Sequence, residues 1–199
     1  MSYPDFFNQV EVIKVKDPLS DVLGAFSNGE YEFNYIDAVK SAGHSCPTVA
    51  GAYLITAEAL KALYPDEVAV RGNIKVEFKD SLEDGVAGVI SNVVSQITGA
   101  TDKSGFKGLA GKFARHSLMD FDASIDSSAR FTRVDTNKSV DVIYNPTSVM
   151  PSPSMQPLMQ KMMSGMAKPI EITEFGELWQ DRVKRIFENT KSVVKVVEV

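Results

Sequence analysis

Residues 34–63 read Asn-Tyr-Ile-Asp-Ala-Val-Lys-Ser-Ala-Gly-His-Ser-Cys-Pro-Thr-Val-Ala-Gly-Ala-Tyr-Leu-Ile-Thr-Ala-Glu-Ala-Leu-Lys-Ala-Leu, and their punctuation decides the architecture. Asn34 suits an N-cap, so a short helix runs to Ala42, and Gly43 stands where a left-handed residue ends it. His44-Ser45-Cys46 is then a loop. Pro47, with its fixed φ, opens a second helix of about Pro47 to Leu63. Val49, Tyr53, Thr56, Leu60 and Leu63 recur at steps of three and four, which predicts a buried stripe along it.

Working outward, Ile74, Val76 and Phe78 alternate with Lys75, Glu77 and Lys79, the pattern of a strand with one wet face. Val86, Val89, Ile90, Val93, Val94 and Ile97 mark a third helix over roughly Glu83 to Thr98, with acids at its start and Gly99 at its end. Thr101 to Gly111 reads as a loop leading to a strand near Lys112–Phe121. Ala129–Asp135 and Ser139–Tyr144, joined by Thr136-Asn137-Lys138, form an antiparallel hairpin. Upstream, Pro4, Pro18, Gly24 and Gly29 break residues 1–33 into turns with one strand around Val10–Val15. The fold class is therefore α+β, an antiparallel sheet packed by helices, with residues 1–146 as its core.

Beyond it, Pro146, Pro151, Pro153 and Pro157 predict an extended linker over Asn145 to Pro157. Met155, Met159, Met162, Met163 and Met166 follow on one helix. Thr173 caps a last helix whose stripe is Phe175, Leu178, Trp179, Val183, Ile186 and Phe187. Val193–Val199 adds a strand to a sheet edge of this or another protomer. Residues 147–199 are thus a helical extension that packs on the core or on a second copy of the chain.

Charge and composition narrow the function. The 199 residues carry 21 Lys+Arg against 26 Asp+Glu, a net charge of -5 with no basic block, so nucleic acid is not an expected partner. Apolar runs fall far short of the ~20 residues that cross a bilayer. Asp5 interrupts the N-terminal segment where a signal peptide would be basic and then apolar. A soluble, cytoplasmic protein is the expectation. Cys46 is the one cysteine, so an intrachain disulfide and any centre built of several thiolates from one protomer are excluded. Two histidines and no G-x-S-x-G turn argue against a serine hydrolase. Thr101–Gly108 lacks the order of a phosphate loop. The methionines read as packing surface rather than copper ligands, and Lys112, Arg115 and His116 as a solvated face.

The one dense group of reactive side chains is His44 and Cys46. If Pro47 opens a helix, Cys46 lies at its N-terminus, where unpaired N–H groups and the dipole favour an anionic sulfur. Gly43 lets the loop turn sharply enough for the imidazole and the sulfur to converge. One nitrogen and one sulfur suit zinc, with iron, nickel or copper as softer choices. His116, Glu77 and Asp84 are the donors that could complete a three-ligand site, and the sequence does not choose among them.

Gly43-His44-Ser45-Cys46-Pro47, then a helix with Gly51, Val76-Glu77, Asp84-Gly85-Val86 and Thr98-Gly99-Ala100-Thr101 resemble the FmdE-like family of formylmethanofuran dehydrogenase components over about Asn34 to Phe121. Thr48 stands where that family has Gly, and Ser81 and Ala100 where it has Cys. The resemblance implies an α+β core commonly paired as a homodimer, with a cleft around His44 and Cys46 that takes a metal and can admit a small molecule. Asp84 and Glu77 match family positions, and His116 is an added donor in place of a lost thiolate. The family's cysteine-rich appended module has no counterpart in residues 146–199. A reaction is not transferred by likeness. With an open metal position, the chemistry would be Lewis-acid polarisation or water activation, Glu77 or Asp84 serving as base. The alternatives are a carrier that ligates haem or another organic cofactor through Cys46 or His44, and metal-free thiol chemistry with His44 as base.

Overall fold

The computed structural model describes residues 3–199. A 3-10 turn over Asp5–Gln9 buries Phe6 and Phe7. It leads through β1 (Ile13–Lys16), the short α1 (Pro18–Val22) and β2 (Glu30–Phe33) to α2 (Tyr35–Ala42) and α3 (Pro47–Leu63). There follow β3 (Ala69–Val70), β4 (Ile74–Phe78), α4 (Ala87–Thr98), β5 (Met119–Asp120), β6 (Ala129–Arg133) and β7 (Ser139–Tyr144). The chain closes with α5 (Met155–Met163), α6 (Pro169–Glu188), α7 (Thr190–Val193) and β8 (Val194–Glu198). No described helix is long and apolar enough to cross a membrane.

Two sheets form, in the orders β2-β1-β3 and β5-β4-β6-β7-β8. The α+β class stands, but neither sheet is purely antiparallel: β1 runs parallel to β3 and β4 parallel to β5. The hairpin of β6 and β7 pairs Phe131 with Val140, and both side chains are buried. Alternation puts Ile74, Val76 and Phe78 of β4 inside. β8 continues the sheet along β7 of the same chain, Val196 opposite Val142.

The centre is α3. Its stripe of Val49, Tyr53, Thr56, Leu60 and Leu63 is buried, and so are Ala50, Ala52, Ala57 and Ala59 on its other faces, because α2, α4, α6 and strands β7 and β8 surround it. Small residues let these neighbours approach. A Cβ on Gly51 would overlap the ring of Tyr144, whose hydroxyl donates to the Pro47 carbonyl at 2.7 Å. Tyr53, also buried, directs its hydroxyl between the carbonyls of Glu11 (2.8 Å) and Phe33 (2.9 Å), tying the N-terminal segment to α3. Each fully buried Val, Leu or Ile of this core contributes ~1.5–3 kcal/mol over leaving it in water.

Several expected elements differ. The third helix, α4, begins at Ala87 rather than Glu83, because Ser81–Val86 is spent in turns with Gly85 at φ +50°. Only Met119–Asp120 of the strand expected near Lys112–Phe121 forms. Phe113 and Ser117 take left-handed backbone conformations that no strand accommodates. The segment is instead a closed loop, with the Thr101 N–H on the Arg115 carbonyl and the Leu118 N–H on the Thr101 carbonyl, both at 3.0 Å. The expected linker is also more structured, with a 3-10 turn at Pro146–Ser148 and α5 starting within it at Met155. The last helix starts at Pro169, not after Thr173. Glu171 accepts the Lys168 N–H at 2.8 Å, and Thr173, already inside the helix, donates back to the Pro169 carbonyl. Of the methionines, Met155 is buried in the hairpin of α5 and α6, while Met163 and Met166 are 77% and 73% exposed.

Candidate functional site

Helix α2 ends on Gly43, left-handed at φ 78°, with its N–H on the Val39 carbonyl at 2.8 Å. The chain turns there into His44-Ser45-Cys46. Ser45, the middle residue, is held from two sides. Its hydroxyl lies 2.9 Å from that of the buried Tyr35. Its carbonyl accepts both the Trp179 indole N–H (3.0 Å) and the Gln180 amide (3.2 Å) of α6. Cys46 caps α3, Sγ accepting the Val49 N–H at 3.4 Å, with Pro47 as the first helical residue. The sulfur thereby satisfies one of the donors that a helix start leaves open. Burial pushes the Tyr35 and Tyr144 phenols far above their usual range, so both remain neutral hydrogen-bonding groups beside the loop.

His44 and Cys46 differ in surroundings. Cys46 is buried, whereas His44 is exposed. The Nδ1 of His44 is 3.0 Å from the Ala42 carbonyl, an acceptor, so Nδ1 is the donor and in the neutral ring Nε2 carries the lone pair. The imidazole lines a hollow of about 390 Å³ with Ser41, Asn92, Ser95 and Gln96.

The other expected donors lie elsewhere. Glu77, on the half-wet face of β4, accepts from Lys75 at 3.2 Å, and the same ammonium reaches Asp120 at 3.2 Å. Asp84 is exposed in the turn before α4, where its carbonyl accepts the Ala87 N–H. His116 belongs to the closed loop, its Nδ1 3.0 Å from the Ser117 hydroxyl. Among the described residues no three of His, Cys, Asp and Glu gather into a group that could hold a metal ion. His44 and Cys46 share one loop, but only His44 lines the hollow while the Cys46 sulfur turns to the start of α3. Glu77, Asp84 and His116 are not gathered with them as a ligand set.

Sequence reasoning missed a second polar centre. Asp17, buried, accepts Arg115 at 2.5 Å, Arg71 at 3.0 Å and the Tyr31 hydroxyl at 3.2 Å. It also caps α1 through the Leu19 N–H at 3.0 Å. Burial alone would raise the Asp17 pKa, but the Arg115 and Arg71 charges outweigh it and hold the carboxyl below its ordinary range. Arg115 is therefore no member of a solvated face. Gly72 makes the room, since a Cβ there would overlap the Arg115 guanidinium, and a Cβ at Gly99 would press on the Arg71 side chain at 3.2–3.3 Å. The Asp17-Pro18 pair signals a helix cap, and nothing nearby in sequence signals its two arginines. The clamp by Trp179 and Gln180 was equally hidden: the periodicity of α6 shows which face is apolar, not what it covers.

A family model described as FmdE, molybdenum formylmethanofuran dehydrogenase operon, matches residues 42–195. The match includes the loop, helices α3 and α4, and the C-terminal helices as far as the start of β8, and it begins at the last residue of α2. No curated protein matches the chain.

Proposed function

Because this chain belongs to the FmdE family, we propose that it is a metal-associated protein whose binding element is the His44-Ser45-Cys46 loop. The observation that carries the reading is the way this loop is built. Tyr35, Trp179 and Gln180 fix Ser45, and the donors on either side of it are a capping sulfur and an imidazole whose Nε2 carries the lone pair in the neutral ring. Support at the residue between two ligands is what orients a metal's donors. The family's description names the operon of a molybdenum enzyme, which supports a metal-linked role for its members and leaves the reaction open.

A nitrogen and a sulfur favour zinc, and iron, nickel or copper would also be accepted. One chain does not fit the whole requirement, since two donors fall short of the three or four that hold zinc. The set is completed by a second copy in a homodimer, or by a small-molecule ligand at the exposed face of His44.

The test is elemental analysis of the purified protein beside the His44→Ala/Cys46→Ala variant, with the mass of each in solution. We expect about one metal per chain or per pair of chains, absent from the variant. Equal metal content in the two proteins would overturn the reading.

A further inference from the structure

A cleft of about 450 Å³ opens beside the first turns of α3 and α4, where Thr48, Val86 and Ala87 border it. Both helices are long, 17 and 12 residues. Pro47 has no N–H, Cys46 Sγ takes that of Val49 and the Asp84 carbonyl that of Ala87, which leaves the amides of Thr48, Gly88 and Val89 open in the two first turns. Such ends attract a carboxylate. Helix ends alone would not make a site. The telling group is Ser127, which lines the cleft with its residue 2% exposed and its hydroxyl oxygen buried without a partner. Beside it the Ser128 hydroxyl accepts the Tyr144 N–H at 3.1 Å and keeps its own proton to donate. A buried hydroxyl left unpaired costs about 1–3 kcal/mol, and native structures answer one with a protein group, an ordered water or a bound ligand.

The charges along the same wall narrow the class. Lys79 suits an anion, but Asp80 and Asp126 also line the cleft, so a simple acid would face two carboxylates. Ile55, Phe78, Ile90 and the Tyr144 ring supply apolar lining. A ligand that answers all three features has a carboxylate, an ammonium and an apolar group on one small frame.

We propose that this cleft binds a small zwitterion of the α-amino-acid class with an apolar side chain. Its carboxylate meets the starts of α3 and α4 and Lys79, its ammonium meets Asp80 and Asp126, and Ser127 hydrogen-bonds the polar head. Its side chain lies on Phe78 and Ile90. The volume is within the ~300–1,000 Å³ of ordinary ligand sites. No metal is required, so the proposal is independent of the one made for His44 and Cys46.

The experiment titrates the full-length protein, in chelator, with L-phenylalanine and L-leucine, following heat of binding and thermal midpoint. Phenylalaninamide, which lacks the carboxylate, and 3-phenylpropanoate, which lacks the ammonium, are run alongside. Saturable binding of an amino acid, with both analogues weaker by about tenfold or more, is the expected result, each having lost a charge-assisted contact. Ser127→Ala is expected to leave the free protein as stable or more stable, having lost an unpaired buried hydroxyl. It should weaken the amino acid about five- to tenfold. Asp126→Asn should bind the amino acid more weakly and 3-phenylpropanoate equally well or better, one opposing carboxylate having been removed. No binding of either amino acid at ~10 mM, or equal binding of the analogues, would overturn the proposal, whatever the metal content proves to be.

Discussion

The His44-Ser45-Cys46 loop and the Asp17 centre are both polar sites that hold the fold together, and they are built in opposite ways. The loop compresses its reactive groups into three consecutive residues, one exposed and two buried. The Asp17 centre draws on Arg71 and Arg115, 54 and 98 positions away, and buries Asp17 and Arg115 while Arg71 and Tyr31 stay half-buried. The first is conspicuous by composition, being rich in the rarest side chains of the chain. The second is made of common residues and is visible only once the chain has folded. Rarity in sequence marks potential chemistry, and long-range burial marks structural commitment.

This contrast predicts unequal costs. Asp17→Ala leaves two guanidiniums packed together without their carboxylate, and breaking a buried ion pair from one side costs about 3–5 kcal/mol. Chemical denaturation measures it, and a loss below ~1 kcal/mol would place the centre among ordinary surface pairs. On the loop side, Trp179→Ala removes packing and one of the donors to Ser45, with an expected loss of about 2 kcal/mol. It should also expose Cys46, raising its labelling by a thiol reagent about tenfold or more. Unchanged labelling would mean that α6 does not guard the loop. Gly51→Ala tests the support beneath the loop alone, because its Cβ displaces the Tyr144 ring from the start of α3. Overpacking of this kind costs about 1–3 kcal/mol.

Acid should separate the two regions further. The folded Asp17 carboxyl titrates below its ordinary value of 3.8, so the folded state binds this proton less readily than the unfolded chain does. Its contribution to stability is complete above the unfolded pKa and is lost as pH falls from about 4 through the lower, folded value. Denaturation midpoints of the wild type should fall in that window more steeply than those of Asp17→Asn. Parallel curves would remove Asp17 from this role. The smallest effect is expected at Met163, 77% exposed. In an isolated chain, Met163→Ser should change stability by less than ~0.5 kcal/mol. A larger, concentration-dependent loss would show that a second copy covers this face.

What was legible in the sequence was what is local. Asn34 and Gly43 bound α2, Pro47 opens α3, and the alternation of Ile74, Val76 and Phe78 gives β4, each decided within a few residues. The start of α4 was misplaced because Glu83 and Asp84 look like a helix's first turn when they belong to a turn that Gly85 closes. The strand expected near Lys112 failed because alternation is blind to the positive φ of Phe113 and Ser117, which the contacts of a closed loop impose. At the site, Cys46 as helix cap followed from Pro47. The hold of Trp179 and Gln180 on Ser45 spans more than 130 positions, and no spacing rule reaches that far.

The most direct test of the metal reading is substitution with cobalt(II), followed by absorption spectroscopy on the wild type, His44→Ala and Cys46→Ala. We predict a thiolate-to-cobalt charge-transfer band that vanishes in Cys46→Ala, and ligand-field bands that shift in His44→Ala. A cobalt spectrum with no thiolate band, or one unchanged in Cys46→Ala, would contradict it.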